Sequence, residues 1–207
     1  MINKLKIMIG LALTIAMLPS CTPVTAVSST VAGITVAKES SAGTVLDDTI
    51  ITANIKNDFV QTEVNELLSR ISVNTNEGRV MLTGSVNDRK YAVEAIKIAW
   101  NTKGVKEVIN EVEISQKGPE TRAKDAFIEA QIKGKYLVEK NLASVNYTVD
   151  VNNAKVYVLG IAQSQNELSR ALTIASEVNG VEKVVSHVTL KDDPRRANAV
   201  FGKKKVM

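Results

Sequence analysis

The stretch "GRVMLTGSV" at residues 78–86 returns as "AKVYVLGIA" at residues 154–162, a displacement of 76 positions. A second pair, "KGVKEVINEVEI" around Gly104 and "NGVEKVVSHVTL" around Gly180, keeps the same displacement. Upstream, "DDTIITANIKNDF" matches "KDAFIEAQIKGKY" at a displacement of 77, so the second copy carries one inserted residue between these segments. The chain therefore reads as two small units, residues 47–115 and 121–191, joined by a linker at 116–120.

Each copy has the same plan. Asp48 is placed as an N-cap, and Ile51, Ile55 and Phe59 recur every four residues, which predicts an amphipathic helix. "ISVNTNEGRVMLTG" is two alternating runs around Asn76-Glu77-Gly78, a hairpin pattern. A second helix is expected from about Asp88 to Asn101, stopped by Gly104, and Val105 to Ile114 alternates as a last strand. The order αββαβ is an α+β unit, a small mixed sheet covered by two helices. Gly84, Gly160, Gly104 and Gly180 stand in no phosphate-loop spacing, and their recurrence in both copies points to backbone geometry.

The N-terminus has a different character. Lys4 and Lys6 precede an apolar run from Ile7 to Leu18, too short for a permanent span, which takes about 20 residues. Residues 1–20 are therefore read as a signal peptide. The run leads into Leu18-Pro19-Ser20-Cys21, which looks like a bacterial lipobox, and Cys21 is the only cysteine of the chain. A thiolate is the nucleophile suited to forming a thioether with a diacylglyceryl group. Cys21 is thus the expected lipidation site, carrying diacylglyceryl and an N-acyl chain such as palmitate, and two or more chains make a stable anchor. The alternative is a soluble secreted protein in which Cys21 has no such role. Residues 21–46 are small, Ser/Thr-rich and nearly uncharged up to Lys38, and are read as a flexible tether. Its uncharged body has a reach of roughly 25–30 Å.

Without Lys4 and Lys6 the chain holds 24 basic and 22 acidic residues, a net charge of +2. Export excludes nucleic acid as a partner. The charge is uneven: 47–115 carry 8 basic and 11 acidic residues, 121–191 carry 9 and 7. Residues 192–207 form a basic tail with Arg195, Arg196, Lys203, Lys204 and Lys205, which either touches anionic lipid or is simply solvated.

The αββαβ order, the glycine that ends the second strand in each copy, and the "G-V" step into the last strand resemble the BON domain. The lipobox, the "VLDDTIITANIKNDF" opening and the tandem copies resemble the dual-BON outer-membrane lipoproteins of Gram-negative bacteria, over residues 17–191. The resemblance implies attachment to the periplasmic face of the outer membrane, binding of anionic phospholipid by the second unit, and a role in envelope integrity. Thr22, in place of Asp after the cysteine, agrees with outer-membrane placement in that family. In the family the first helix of the second unit contacts lipid, and Phe127 falls at the matching position.

That helix also stands out by its own chemistry. Lys124, Gln131, Gly134 and Lys135 lie at spacings of three, four, seven and eight from Phe127, on one flank of a helix. An aromatic ring among cations suits the headgroup boundary, where each cation near an anionic surface contributes about 1 kcal/mol. Phe127, Lys124, Gln131 and Lys135 are the candidate lipid-binding residues; a tryptophan would be the stronger anchor. The competing placement folds Phe127 over the margin of its own core, as its counterpart Ile50 would. Trp100, off the Ala92-Ala95-Ala99 stripe, is read either as an interface residue or as a partly buried one.

Catalysis finds no support. His187 is the only histidine, and no pair of carboxylates converges, so neither a triad nor a metal site is expected. The chain is read as a non-enzyme without cofactor. A protein-interaction adaptor for envelope assembly or wall-remodelling factors, and an osmotic-stress periplasmic protein, are the rival functions.

Overall fold

The computed structural model describes residues 38–62 and 65–197. The first unit runs α1 (Ala42–Gln61), α2 (Asn65–Arg70), β1 (Ile71–Asn76), β2 (Arg79–Val86), α3 (Arg89–Asn101) and β3 (Glu107–Ile114). The second runs α4 (Pro119–Val138), a 3-10 turn (Ser144–Asn146), β4 (Tyr147–Asn152), β5 (Lys155–Ala162), α5 (Gln165–Ser176) and β6 (Lys183–Leu190), followed by α6 (Pro194–Ala197). In each sheet a hairpin pair is antiparallel, and the third strand joins the central one in parallel. A parallel return needs a crossover, which α3 and α5 supply. The mixed α+β unit expected from the repeat is what forms, with one short extra helical element in each copy.

The first core gathers Ile51, Ile55 and Phe59 of α1 against Val73, Val80 and Leu82 and the Ala92-Ala95-Ala99 stripe of α3. The second repeats this with Ile128, Ile132 and Tyr136 of α4 against Val149, Val156, Val158 and Ala171. Small alanines let α3 and α5 approach the sheet closely, so the bulk of each core comes from the first helix and the strands.

Three boundaries differ from the sequence expectation. α1 begins at Ala42, because the Ser41 hydroxyl accepts the Thr44 amide at 3.2 Å as N-cap. The end of the stretch read as tether is therefore folded; Glu39 also donates its amide to Asn146 and accepts from Gln163. The rest of that stretch, the signal segment and Cys21 lie outside the described residues. α4 likewise begins at Pro119, inside the expected linker, with proline at a first-turn position where its missing N–H costs nothing. The expected tail starts as α6, and Arg196 donates to both Glu77 carboxylate oxygens at 2.8 and 2.9 Å. That guanidinium holds the Glu77 carboxyl below the usual carboxylate range; residues 198–207 lie outside the described residues.

Asp48 is a fourth correction. It sits six residues inside α1, buried, and its carboxylate accepts the backbone amides of Glu77 and Gly78, both at 2.8 Å. Asp125 does the same for Asn153 and Ala154 at 2.8 and 2.9 Å. Each unit thus clamps its first helix to its hairpin turn. Both turns place two residues at positive φ, Glu77 at 53° with Gly78 at 78°, and Asn153 at 50° with Ala154 at 60°. This is the turn whose twist matches that of the strands. Ala154 bears a Cβ in a conformation that disfavours one, so Ala154→Gly is expected to stabilise the protein by about 1 kcal/mol, read as a higher urea midpoint at unchanged slope.

The two sheets face each other through the surfaces their helices leave open. Met81 and Ile109 meet Tyr157, Leu159 and Val185 in a third apolar cluster. Residues that are equivalent in the two copies touch one another: Asn74 donates to Asp150 at 3.1 Å, and His187 Nε2 lies 2.8 Å from Glu111 Oε1. Such pairing of a position with its own copy is the mark of an approximate two-fold axis. The layers run helices, sheet, sheet, helices, so the helices of the two units occupy opposite outer faces.

Candidate functional site

α4 is held by one face. Asp125, Ile128, Ile132 and Tyr136 are buried, the Tyr136 hydroxyl donates to the Ala171 carbonyl at 2.9 Å, and its ring meets Tyr147 edge-on at 5.8 Å. With 3.6 residues per turn, fixing that stripe dictates what points outward. The outward residues are Ala123, Phe127, Ala130, Gly134, Leu137 and Val138, all exposed and all small or apolar. Phe127 is 67% exposed, and Leu137 and Val138 are 76% and 77% exposed. The stripe spans about 22 Å at 1.5 Å per residue. A Cβ built on Gly134 meets nothing within 4 Å, so the middle of the stripe is open.

The four residues expected from sequence fall on or beside this stripe. Phe127 does not fold over its own core but stands at the mouth of an open groove of about 640 Å³, which Lys124, Thr121, Asn153 and Glu182 also line. Lys124 pairs with Glu120 at 2.9 Å, an exposed contact that keeps the amine's pKa raised. Lys135 is exposed, and Gln131 is half-buried at the stripe's edge. Leu137 and Val138 were missed. They lie ten and eleven residues beyond Phe127, on the same face, and their inclusion depended on the helix continuing to Val138.

The first unit provides a control within the same molecule. Its equivalent groove, about 460 Å³, is lined by Asp47, Ile50, Glu77, Lys103 and Lys106, where the second unit has Lys124, Phe127, Asn153, Asn179 and Glu182. α1 also exposes apolar residues, Leu46, Ile50 and Val60. Its flank, however, carries Asp47, Asn54 and Asp58 where α4 carries Lys124, Gln131 and Lys135. Backbone and apolar content are alike, and the sign of the flanking charge is reversed.

Elsewhere, His187 is tied into the contact between the sheets through Glu111, and Arg79 donates to its carbonyl at 2.8 Å. Among the described residues no group of three His, Cys, Asp or Glu side chains is placed to hold a metal. No helix among them is long and apolar enough to cross a membrane.

Comparison with known proteins agrees with the fold. The BON domain family model matches residues 47–116 and 124–192. The chain is 37% identical over 153 residues to a protein of Anaplasma centrale called "Uncharacterized protein in gshII 5'region", covering 73% of this chain and 99% of that one. It is 27% identical over 185 residues to the outer membrane lipoprotein DolP of Haemophilus influenzae, covering 89% and 94%. It is 32% identical over 155 residues to osmotically-inducible protein Y of Escherichia coli, covering 72% and 75%.

Proposed function

The chain belongs to the BON domain family, and from that premise we propose that it is an outer-membrane lipoprotein of the periplasmic face, anchored at Cys21, which binds anionic phospholipid through α4 and supports envelope integrity. The observation that carries the reading is the outer stripe of α4: six successive outward positions without a charge from Ala123 to Val138, with Phe127 toward one end and Leu137 and Val138 at the other, and Lys124 and Lys135 along its flank. An element lying in the headgroup plane needs an apolar strip to enter the acyl boundary and cations beside it to meet phosphate. The small residues Ala123, Ala130 and Gly134 let the helix axis approach the surface. The likeness to a DolP lipoprotein over most of both chains supports the placement.

The anchor and the helix have separate tasks. Acyl chains on Cys21 would raise the local concentration at the membrane, and α4 would select the headgroup charge. The test uses the whole chain carrying Cys21→Ser, sedimented with phosphatidylglycerol or phosphatidylcholine vesicles. Phe127→Ala combined with Lys135→Glu is expected to lower affinity for the anionic vesicles at least about tenfold, from lost ring burial and a reversed charge. Binding of both chains should weaken as salt rises. An unchanged affinity for the double variant would reject α4 as the lipid contact and favour the adaptor function.

A further inference from the structure

The outer face of the first unit carries an apolar helical stripe that the α4 reading does not use. On α3, Val93 is 56% exposed and Trp100 is 52% exposed, two helical turns apart on one face. Trp100 does not lie between the two units, because the units meet through their sheets and α3 packs on the opposite side. Arg89, Lys90 and Lys97 border the stripe, and Lys103 follows just past the helix; all four are exposed. Asp88 pairs with Lys90 at 3.3 Å and Glu94 with Lys97 at 3.7 Å, both in open solvent where such pairs hold weakly. Residues 88–103 thus hold four cations and two anions, a net charge of +2 inside a unit that is acidic as a whole.

The second unit shows that the fold does not require this. At the positions equivalent to Arg89, Lys90, Val93, Lys97 and Trp100, α5 has Gln165, Asn166, Ser169, Thr173 and Ser176, a neutral polar face. α1, the other outer helix of the first unit, lies over β1 with its flanking acids, whereas α3 lies over β3 at the other edge of that sheet. Each unit therefore carries one helix with an aromatic, an aliphatic partner and bordering cations, and it is a different helix in each.

We propose that the Val93–Trp100 face of α3 is a second contact for an anionic lipid surface. Tryptophan is the side chain best suited to the headgroup layer, with an apolar ring system and one N–H donor, and the bordering cations supply charge complementarity. Because α3 and α4 occupy opposite outer layers, one flat bilayer cannot engage both. The protein should therefore bridge two anionic surfaces. The α3 contact goes beyond the α4 contact and stands without it, whereas the bridging rests on both.

Trp100 is the sole tryptophan of the chain, so its fluorescence reports on this face alone. The whole chain with Cys21→Ser is mixed with phosphatidylglycerol vesicles, and clustering is followed by light scattering, binding by sedimentation. The parent chain is expected to cluster vesicles. Phe127→Glu should stop clustering but leave bound protein whose Trp100 emission shifts to the blue. Trp100→Glu should likewise stop clustering while leaving α4 binding, Trp100→Phe should retain clustering, and Trp100→Glu with Phe127→Glu should lower binding at least about tenfold below either single variant. Circular dichroism confirms that each variant is folded. Unchanged clustering by Trp100→Glu, or no emission shift in Phe127→Glu with anionic vesicles, would overturn the proposal and mark the face as a protein contact or a solvated one. Failure of the α4 reading looks different: the parent would then bind vesicles without clustering them, and Phe127→Glu would leave both sedimentation and the blue shift of Trp100 emission as in the parent.

Discussion

Gly160→Ala is expected to unfold the second unit, and Gly84→Ala the first. Both glycines lie on the central strand of their sheet at positive φ, 155° for Gly160 and 124° for Gly84, where side chains are strongly disfavoured. Space is the harder limit. A Cβ on Gly160 would stand 2.1 Å from the Asn146 carbonyl oxygen and 3.1 Å from the Tyr147 Cα; on Gly84 it would stand 2.0 Å from the Arg70 carbonyl oxygen. Those atoms belong to the backbone that enters the edge strand, which is paired across from the glycine: Ile71 opposes Gly84 and Tyr147 opposes Gly160. No rotamer change relieves such a clash, and moving the chain would pull the edge strand out of register. The cost is on the order of 4 kcal/mol or more, a large part of what a unit of this size has. Urea unfolding followed by circular dichroism checks it, together with the yield of soluble protein. A midpoint close to that of the parent would show that the strand can yield, and that the repeated glycine has another purpose.

The same two glycines explain why the architecture is legible in the sequence. A repeat that keeps glycine at a fixed step marks the same strand in each copy, although β2 and β5 run two residues past the glycine expected to end them, to Val86 and Ala162, and Ile51-Ile55-Phe59 is periodic enough to fix a helix face. The meeting of the two sheets was not legible. Its surface mixes Asn74, Thr83, Asp150 and Lys155 with Met81, Tyr157 and Leu159, and polar residues on alternate positions read as a solvent face. One signal was available: "VYVLGIA" in β5 is a continuous apolar run without alternation, the pattern of a strand covered on both faces, and each of its residues is buried. At the α4 site, the charge asymmetry between copies was plain from composition. The extent of the apolar stripe was not, because it depends on where the helix ends. Trp100 was ambiguous for a similar reason, since its exposure depends on which side of α3 faces the sheet.

Asp125→Ala is expected to destabilise the protein by about 3–5 kcal/mol, and Asp48→Ala by less, about 2–3 kcal/mol. Both aspartates stand on the buried face of their helix, three residues before Ile128 and Ile51, and both accept two turn amides. Removing either carboxylate takes the acceptor from its two turn amides; among these donors the Gly78 N–H is buried and the other three are half-buried. The difference between them is Lys117. This lysine is nearly buried, pairs with Asp125 and donates to Asn152 at 3.0 Å, so Asp125→Ala also strands a cation away from water. The contacts described for Asp48 are its two turn amides. Its larger influence is burial, which pushes its carboxyl upward against the pull of the two amides. Urea denaturation of the two variants in one background measures the difference directly. Equal losses would mean that Lys117 is stabilised by Asn152 alone and that the ion pair contributes nothing. The clamp also reaches the proposed site, because Asp125 fixes the rotation of α4 two residues before Phe127. If Asp125→Ala leaves a folded population, that population should bind anionic vesicles less well even though every residue of the outer stripe is intact.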